Sequence, residues 1–352
     1  MIHGGLDMHK HFSRLEMMDD FGNVLQKKTL YHDNKEEIKQ YFQALEKPAT
    51  VAIEATRSWY WLVELLSEEG VDVKMAHPLK TKLIGEAKIK TDSIDAHVLA
   101  QLERTGFLPE SYIPPKPIRE QRELLRYRLM LVSSRVRFKN RTHDIIDKFG
   151  ITHPFSDLFG SSGIAFLKRL SLPDIYQKEL QRCLDTIQFL DQEIKEVEKD
   201  MKHILKEDAR IKLLVTIPGV SFLTSYLLLS EIGEADRFHS PRKLCSYAGL
   251  IPSTHQSGEK EYHGSITKQG NKYIRWALIE SAQIAVRKDP ALYAFYEKLK
   301  RSKGSGVAIV AVARKLLVSV YYILKRGEPY HFRSLYQNQN QPGKPVLTSD
   351  HS

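Results

Sequence analysis

Apolar positions alternate with polar ones in the first third of the chain and fall at helical spacing in most of the rest. Ile2 to Met8 reads as a short apolar strand. Phe12 to Met18 and Val24 to Tyr31 read as two more, joined by the turn signal Asp19-Asp20-Phe21-Gly22-Asn23. Three consecutive strands with tight turns predict an antiparallel meander. Lys35 to Leu45 then carries Ile38, Tyr41, Phe42 and Leu45 on one helical face. Thr50 to Ile53 is a buried strand ending at Glu54, Trp59 to Glu69 a helix closed by Gly70, and Val71 to Ala76 a further strand. Asp92 to Leu102 is a helix with Ile94, Val98, Leu99 and Leu102 as its apolar positions. Residues 1–107 therefore predict an α/β domain.

The proline-rich run from Leu108-Pro109 to Pro114-Pro115-Lys116-Pro117 stops any helix and predicts a boundary. Residues 108–209 predict a linker, a basic helix and a coiled-coil region. In the helix, Ile118 to Phe149, the cations Arg119, Arg122, Arg126, Arg128, Arg135, Arg137, Lys139 and Arg141 outnumber acids such as Glu120, Glu123 and Asp144 on the same stretch. So one-sided a charge points to phosphate contact rather than a solvated face. Further on, Tyr176, Leu180, Cys183, Ile187, Leu190, Ile194, Val197, Met201 and Ile204 recur in alternating steps of four and three. That is the period of a coiled-coil seam, serving either self-association or an antiparallel hairpin with the basic helix. Residues 210–331 predict a mainly helical domain, and the Gln/Asn-rich residues 332–352 a disordered tail.

Composition narrows the function. Lys and Arg number 53 against 43 Asp and Glu, a net charge of +10. That surplus favours a polyanionic partner, nucleic acid before membrane. Two cysteines, Cys183 and Cys245, exclude a disulfide framework and a Cys-rich zinc site. No basic segment followed by an apolar run opens the chain, and Val307 to Leu324 carries Arg314-Lys315 at its middle, so a cytoplasmic protein without membrane spans is expected.

Four acids stand where chemistry can use them. Asp7 interrupts the first strand, at a position that usually holds Val or Ile. Glu54 ends a strand, where α/β folds place ligands. Asp92 and Asp95 share one helix face. Converging carboxylates repel unless a cation is shared, and Mg²⁺ accepts oxygen ligands while keeping positions open for water and phosphate. One or two such ions suit phosphodiester chemistry, and Mn²⁺ can substitute. Each acid also has an ordinary alternative: a turn-forming Asp7, a capping Glu54, an N-capping Asp92 and a dipole-facing Asp95.

In the last domain, Ile217-Pro218-Gly219-Val220 resembles a helix-hairpin-helix turn, whose glycine backbone can hold a phosphate. The Gly- and Ser-rich loop that follows, with Lys268, Lys272 and Arg275 nearby, can surround another. An activated serine there can act as a nucleophile. Spacing alone selects none of Ser253, Ser257 or Ser265.

Two motif sets in order carry a family resemblance over most of the chain. The first is Gly5-Leu6-Asp7-Met8-His9-Lys10, Ile53-Glu54-Ala55-Thr56, Lys90-Thr91-Asp92 and Asp95-Ala96. The second is Ile217-Pro218-Gly219-Val220, Tyr247-Ala248-Gly249-Leu250-Ile251-Pro252, Ser257-Gly258, Thr267-Lys268-Gln269-Gly270-Asn271 and Ala313-Arg314-Lys315-Leu316. The chain resembles the DEDD transposases of bacterial insertion sequences, bridge-RNA-guided recombinases related to the Piv DNA invertases. Arg57 and Ser221 stand where members often have glycine. The resemblance implies a ribonuclease-H/RuvC-like catalytic domain over 1–107, with Asp7, Glu54, Asp92 and Asp95 as metal ligands. It implies a C-terminal transposase domain with a catalytic serine, placed at Ser257. It further implies a composite site, a phosphoserine intermediate, DNA and a structured guide RNA as partners, and a homo-oligomer, dimer or tetramer, through the seam. Two rivals are a metal-dependent nuclease or junction resolvase with no serine adduct, and a non-catalytic nucleic-acid scaffold.

Overall fold

The computed structural model describes all residues except 47, 55–58, 85–91, 207, 258–259 and 332–352; the side chains at 79, 82, 83, 93, 254–257 and 260–263 are also outside it. The expected tail therefore lies outside the described residues. The chain forms two compact units, Met1–Pro114 and Pro115–Ser352.

The first unit runs β1 (Ile2–Met8), β2 (Phe12–Met18), β3 (Val24–Tyr31), α1 (Lys35–Gln43), β4 (Ala49–Glu54), α2 (Trp59–Glu68), β5 (Asp72–Ala76), α3 (Pro78–Ile84), α4 (Asp92–Arg104) and β6 (Glu110–Ser111). The strands form one sheet in the order β3-β2-β1-β4-β5-β6. β1–β2 and β2–β3 are antiparallel, β1–β4 and β4–β5 parallel. This is the meander followed by parallel strands that a ribonuclease-H-like fold requires.

The two faces of β1 do different work, because side chains alternate across a strand. Leu6 and Met8 face a core with Ile38 and Phe42 of α1 and Leu62 and Leu66 of α2. Burying side chains of that size stabilises by roughly 1.5–3 kcal/mol each. Gly5 and Asp7 face the other way, toward α4, whose Leu99 and Leu102 pack on Ala52 and Ala76. Small residues on this face let the helix come close. A Cβ on Gly5 would lie 2.0 Å from Ala96 O and 2.4 Å from Ala100 N, so only glycine admits α4 at this depth.

Two elements were not legible in the pattern. α3 is a single short helix starting at Pro78, and β6 is a two-residue edge strand inside the proline-rich run, pairing Met75 with Ser111 and Ala76 with Glu110. An edge strand tolerates neighbouring prolines because its outer N–H groups need no partner. The first compact unit runs through this strand to Pro114.

The second unit runs α5 (Lys116–Lys148), α6 (Ser161–Arg169), α7 (Asp174–Ile204), α8 (Ala209–Leu214), α9 (Phe222–Ile232), α10 (Pro241–Tyr247), the hairpin β7 (Pro252–Ser257) and β8 (Lys260–Ile266), α11 (Lys272–Lys288), α12 (Pro290–Lys303) and α13 (Ser305–Arg326). The Gly- and Ser-rich loop is thus a two-stranded hairpin.

The heptad seam of α7 is filled by α5 of the same chain. Leu180, Cys183, Ile187, Leu190, Ile194, Val197 and Met201 are all buried. Arg128–Glu198, Arg135–Asp191 and Arg141–Glu179 pair in descending order along α7, which makes the hairpin antiparallel. Of the two expected uses of the seam, the antiparallel hairpin with α5 is the one seen within the chain. Residues 108–209 also do not stand apart. Leu125 and Leu131 of α5 share a core with Leu190, Ile194, Val197 and Met201 of α7, Leu228 of α9, Leu278 of α11 and Leu316 of α13.

Among the described residues, Ser305–Arg326 alone is long and apolar enough to cross a membrane. It is instead a core helix: Ala308, Val312, Ala313, Leu316, Leu317 and Val320 are fully buried in the second unit.

Candidate active site

Asp7 lies near the carboxyl end of β1 and is 7% exposed. β1 and β4 run in parallel with Gly5 beside Ala52 and Leu6 beside Ile53, so the next step brings Glu54 alongside Asp7. The close approach at Gly5 sets α4 against the same strand, and the first turn of α4 carries Asp92 and Asp95. Asp7 and Asp92 are thereby brought together at one end of the sheet, with Asp95 and Glu54 near enough to act on the charge of Asp7. Their proximity shows in Asp7: burial pushes its carboxyl above the ordinary value, His9 opposes this, and Asp95, Asp92 and Glu54 raise it further.

His9, absent from the sequence prediction, completes the cluster. Its Nε2 lies 3.1 Å from Asp7 Oδ2 and 3.1 Å from Asp92 Oδ2. The three ligand atoms lie within 4.8 Å of one another. His9 Nε2 is buried yet makes no hydrogen bond among the described residues. No lysine or arginine among the described residues pairs with Asp7 or Asp92. One imidazole nitrogen and two carboxylate oxygens this close together fit a divalent metal. The available signal was the place of His9 two residues beyond Asp7, on the same side of an extended segment.

The predicted nucleic-acid residues divide. Arg119 and Arg122 are buried. Arg122 donates from Nε to Ser230 O (2.7 Å) and from Nη2 to Glu231 O (2.8 Å), closing the carboxyl end of α9, where a cation meets the helix dipole. Arg126 lies 3.2 Å from Glu231, Arg128 2.6 Å from Glu198, Arg135 2.6 Å from Asp191 and Arg141 2.6 Å from Glu179. Arg122, Arg126, Arg128, Arg135 and Arg141 thus have acidic partners on α7 and α9, outside the α5 stretch itself. Arg137 is exposed, and Lys139 lies 4.6 Å from the centre of the Phe159 ring.

Gly219 has φ 83°, and a Cβ there would lie 2.4 Å from Ser281 O, so packing against α11 accounts for the glycine. Lys268 and Lys272 are exposed, while Arg275 donates to Ala248 O at 2.9 Å. Ser257 closes β7, but its side chain and Gly258 lie outside the described residues. Elsewhere in the second unit, Lys298, Arg301 and Lys303 at the end of α12 are exposed.

Two family models match the chain. A model described as "Transposase", of the DEDD type, covers residues 4–151, and one described as "Transposase IS116/IS110/IS902 family" covers residues 211–297. The transposase for insertion sequence element IS1328 of Yersinia enterocolitica is 28% identical over 81% of this chain and 84% of its own length. The transposase for insertion sequence element IS1111A of Coxiella burnetii is 25% identical over 93% and 90%. The pilin gene-inverting protein of Moraxella bovis is 37% identical over a shorter stretch, 35% of this chain and 39% of that protein.

Proposed function

The chain belongs to the IS116/IS110/IS902 family of transposases, enzymes that cleave and rejoin DNA, and from that premise we propose that it recombines DNA at the Asp7–Glu54–Asp92–Asp95 centre with Mg²⁺, using Ser257 as nucleophile. One observation supports the reading: His9 Nε2 and carboxylate oxygens of Asp7 and Asp92 lie within 4.8 Å of one another, and His9 Nε2 has no hydrogen bond among the described residues. Asp7, Glu54, Asp92 and Asp95, with His9 beside them, would hold the ion; when bound, it supplies charge neutralisation and Lewis-acid polarisation of the scissile phosphate. Mn²⁺ has the same preference for oxygen ligands and can replace it.

The chain's own part is positional. Gly5 sets the depth of α4, and α4 sets Asp92 and Asp95 against Asp7. In the cleavage step the Ser257 hydroxyl oxygen forms a bond to phosphorus, the bond from phosphorus to a deoxyribose oxygen breaks, and that oxygen leaves with a proton. Attack of a second strand's hydroxyl on the phosphoserine reverses the process and restores a phosphodiester without net hydrolysis. A structured guide RNA, as in the family the motifs resemble, would choose the sites. The setting is the bacterial cytoplasm.

Trapping tests the chemistry. DNA incubated with the full chain and Mg²⁺, quenched in denaturant, should yield a protein–DNA adduct that maps to Ser257 and is lost in Ser257→Ala. Cut DNA without any adduct would replace this mechanism with hydrolysis by a nuclease or resolvase.

A further inference from the structure

Beside the carboxylates the sheet extends as an open shelf. Asp7, Arg14 and Thr29 are register neighbours across β1, β2 and β3, and neighbours in a row share one face. The next row is Gly5, Glu16 and Lys27. α4 covers the β1 end of these rows and leaves the β2–β3 end open. There a cavity of about 300 Å³ is lined by Arg14, Glu16, Lys27 and Thr29 from the strands and by Asp92 and Ala96 from α4.

The charges on the shelf are not equally free. Lys27 is 3.0 Å from the buried Glu16, which also takes His97 Nδ1 at 2.6 Å. Lys28, reaching the other face, is 3.0 Å from Glu37. Arg14 has no carboxylate partner among the described residues. Its Nη1 donates to Thr29 Oγ1, and its guanidinium carbon lies 5.3 Å from the centre of the Phe12 ring. These two contacts orient the exposed guanidinium and leave most of its donors for a ligand. A fixed planar fork matches two oxygens of one phosphate, a geometry that a lysine cannot reproduce.

The opposite wall selects the ligand. Asp92 repels a free anion that arrives without a cation. A polymer whose next phosphate is neutralised at the metal centre can still lay a neighbouring phosphate in the cavity. We propose that this shelf is a subsite for the phosphodiester backbone of the DNA strand being cut, gripped by Arg14. This rests on the carboxylate cluster being the cleavage centre.

The test uses the full chain and a fluorescent 40-base-pair DNA duplex of mixed sequence, with Ca²⁺ as a divalent ion that holds the site without turnover. Arg14→Ala should weaken binding about 5- to 10-fold and reduce the log–log salt slope by about one, as expected when one phosphate is no longer neutralised. Arg14→Lys should recover the slope but only part of the affinity. Arg14→Gln keeps the chain length and the packing on Phe12, so it separates lost charge from lost packing, with melting temperature as the fold control. Unchanged affinity and slope in both Arg14→Ala and Arg14→Gln overturns the subsite. A loss seen only with an RNA duplex of equal length overturns the assignment to the cut strand. Asp7→Asn keeps the two ideas apart: normal cutting by that variant removes the cleavage centre, whatever Arg14 does to binding.

Discussion

Glu231 and Asp7 are both buried carboxylates, 0% and 7% exposed, and their surroundings differ in kind. Glu231, in the second unit, has Arg126 at 3.2 Å, Arg122 at 3.6 Å and an Asn271 amide donating at 2.7 Å. Asp7 has His9, Asp92, Asp95 and Glu54. The fold meets the cost of burying the first acid internally. It leaves the second beside one histidine and among other acids, where a bound proton or a shared cation relieves the repulsion. Acids closed off by arginine hold the architecture, whereas under the proposed function the acids around Asp7 are kept for chemistry.

The sharpest break between them is Asp7→Asn. Replacing one proposed ligand should reduce DNA cleavage by more than the ~100-fold typical of losing an outer partner of a metal site. The same change should raise the melting temperature of the metal-free protein, because it removes one member of a repelling cluster. Cleavage at the normal rate, or a lower metal-free melting temperature, would place Asp7 with Glu231 as a structural acid.

Glu231→Ala should act on stability. It leaves Arg122 and Arg126 facing a buried space with no carboxylate, a loss of about 3–5 kcal/mol. Denaturant unfolding of the full chain measures it. A loss below about 1 kcal/mol would mean that Arg122 is satisfied by the Ser230 and Glu231 carbonyls alone.

Divalent ions and pH sharpen the contrast further. Mg²⁺ at about 100 times its Kd should stabilise the protein by ~2.7 kcal/mol, and Asp7→Asn should abolish the effect. Without ions, the raised pKa of Asp7 means that the folded state binds its proton more tightly than the unfolded state does. Asp7's share of stability should therefore fall as pH rises from the ordinary carboxylate value through the raised one, and return on acidification. A metal-free unfolding midpoint with the same pH dependence in the parent and in Asp7→Asn contradicts that.

How much of this was legible in the sequence depends on the range of the interactions. The strands, α1, α2 and α4 follow from local periodicity, and the strand order makes the meeting of Asp7 with Glu54 readable from topology. His9 shares a side of the chain with Asp7, but its meeting with Asp92 at 3.1 Å depends on where α4 packs, which local spacing does not show. β6 was hidden by the prolines around Glu110-Ser111. The acidic partners of the α5 arginines were hidden for a related reason. A charge count along one helix shows only partners on that helix, whereas Glu179, Asp191 and Glu198 lie 38 to 70 residues away.

The smallest effect comes from those same arginines. Arg135 is partly exposed and pairs with Asp191, so Arg135→Ala should cost less than about 1 kcal/mol. Its charge is already engaged within the hairpin, and a phosphate would have to displace Asp191 to use it. Affinity for duplex DNA and the salt slope should therefore stay at the parent's values. Lys298, Arg301 and Lys303 make the natural contrast: all are exposed, and none has an acidic partner among the described residues. Neutralising those three should flatten the slope, by up to about 0.9 for each phosphate they neutralise. If Arg135→Ala flattens it as much as the α12 triple change, the ion pair with Asp191 opens on binding, and α5 returns as a nucleic-acid surface despite its partners.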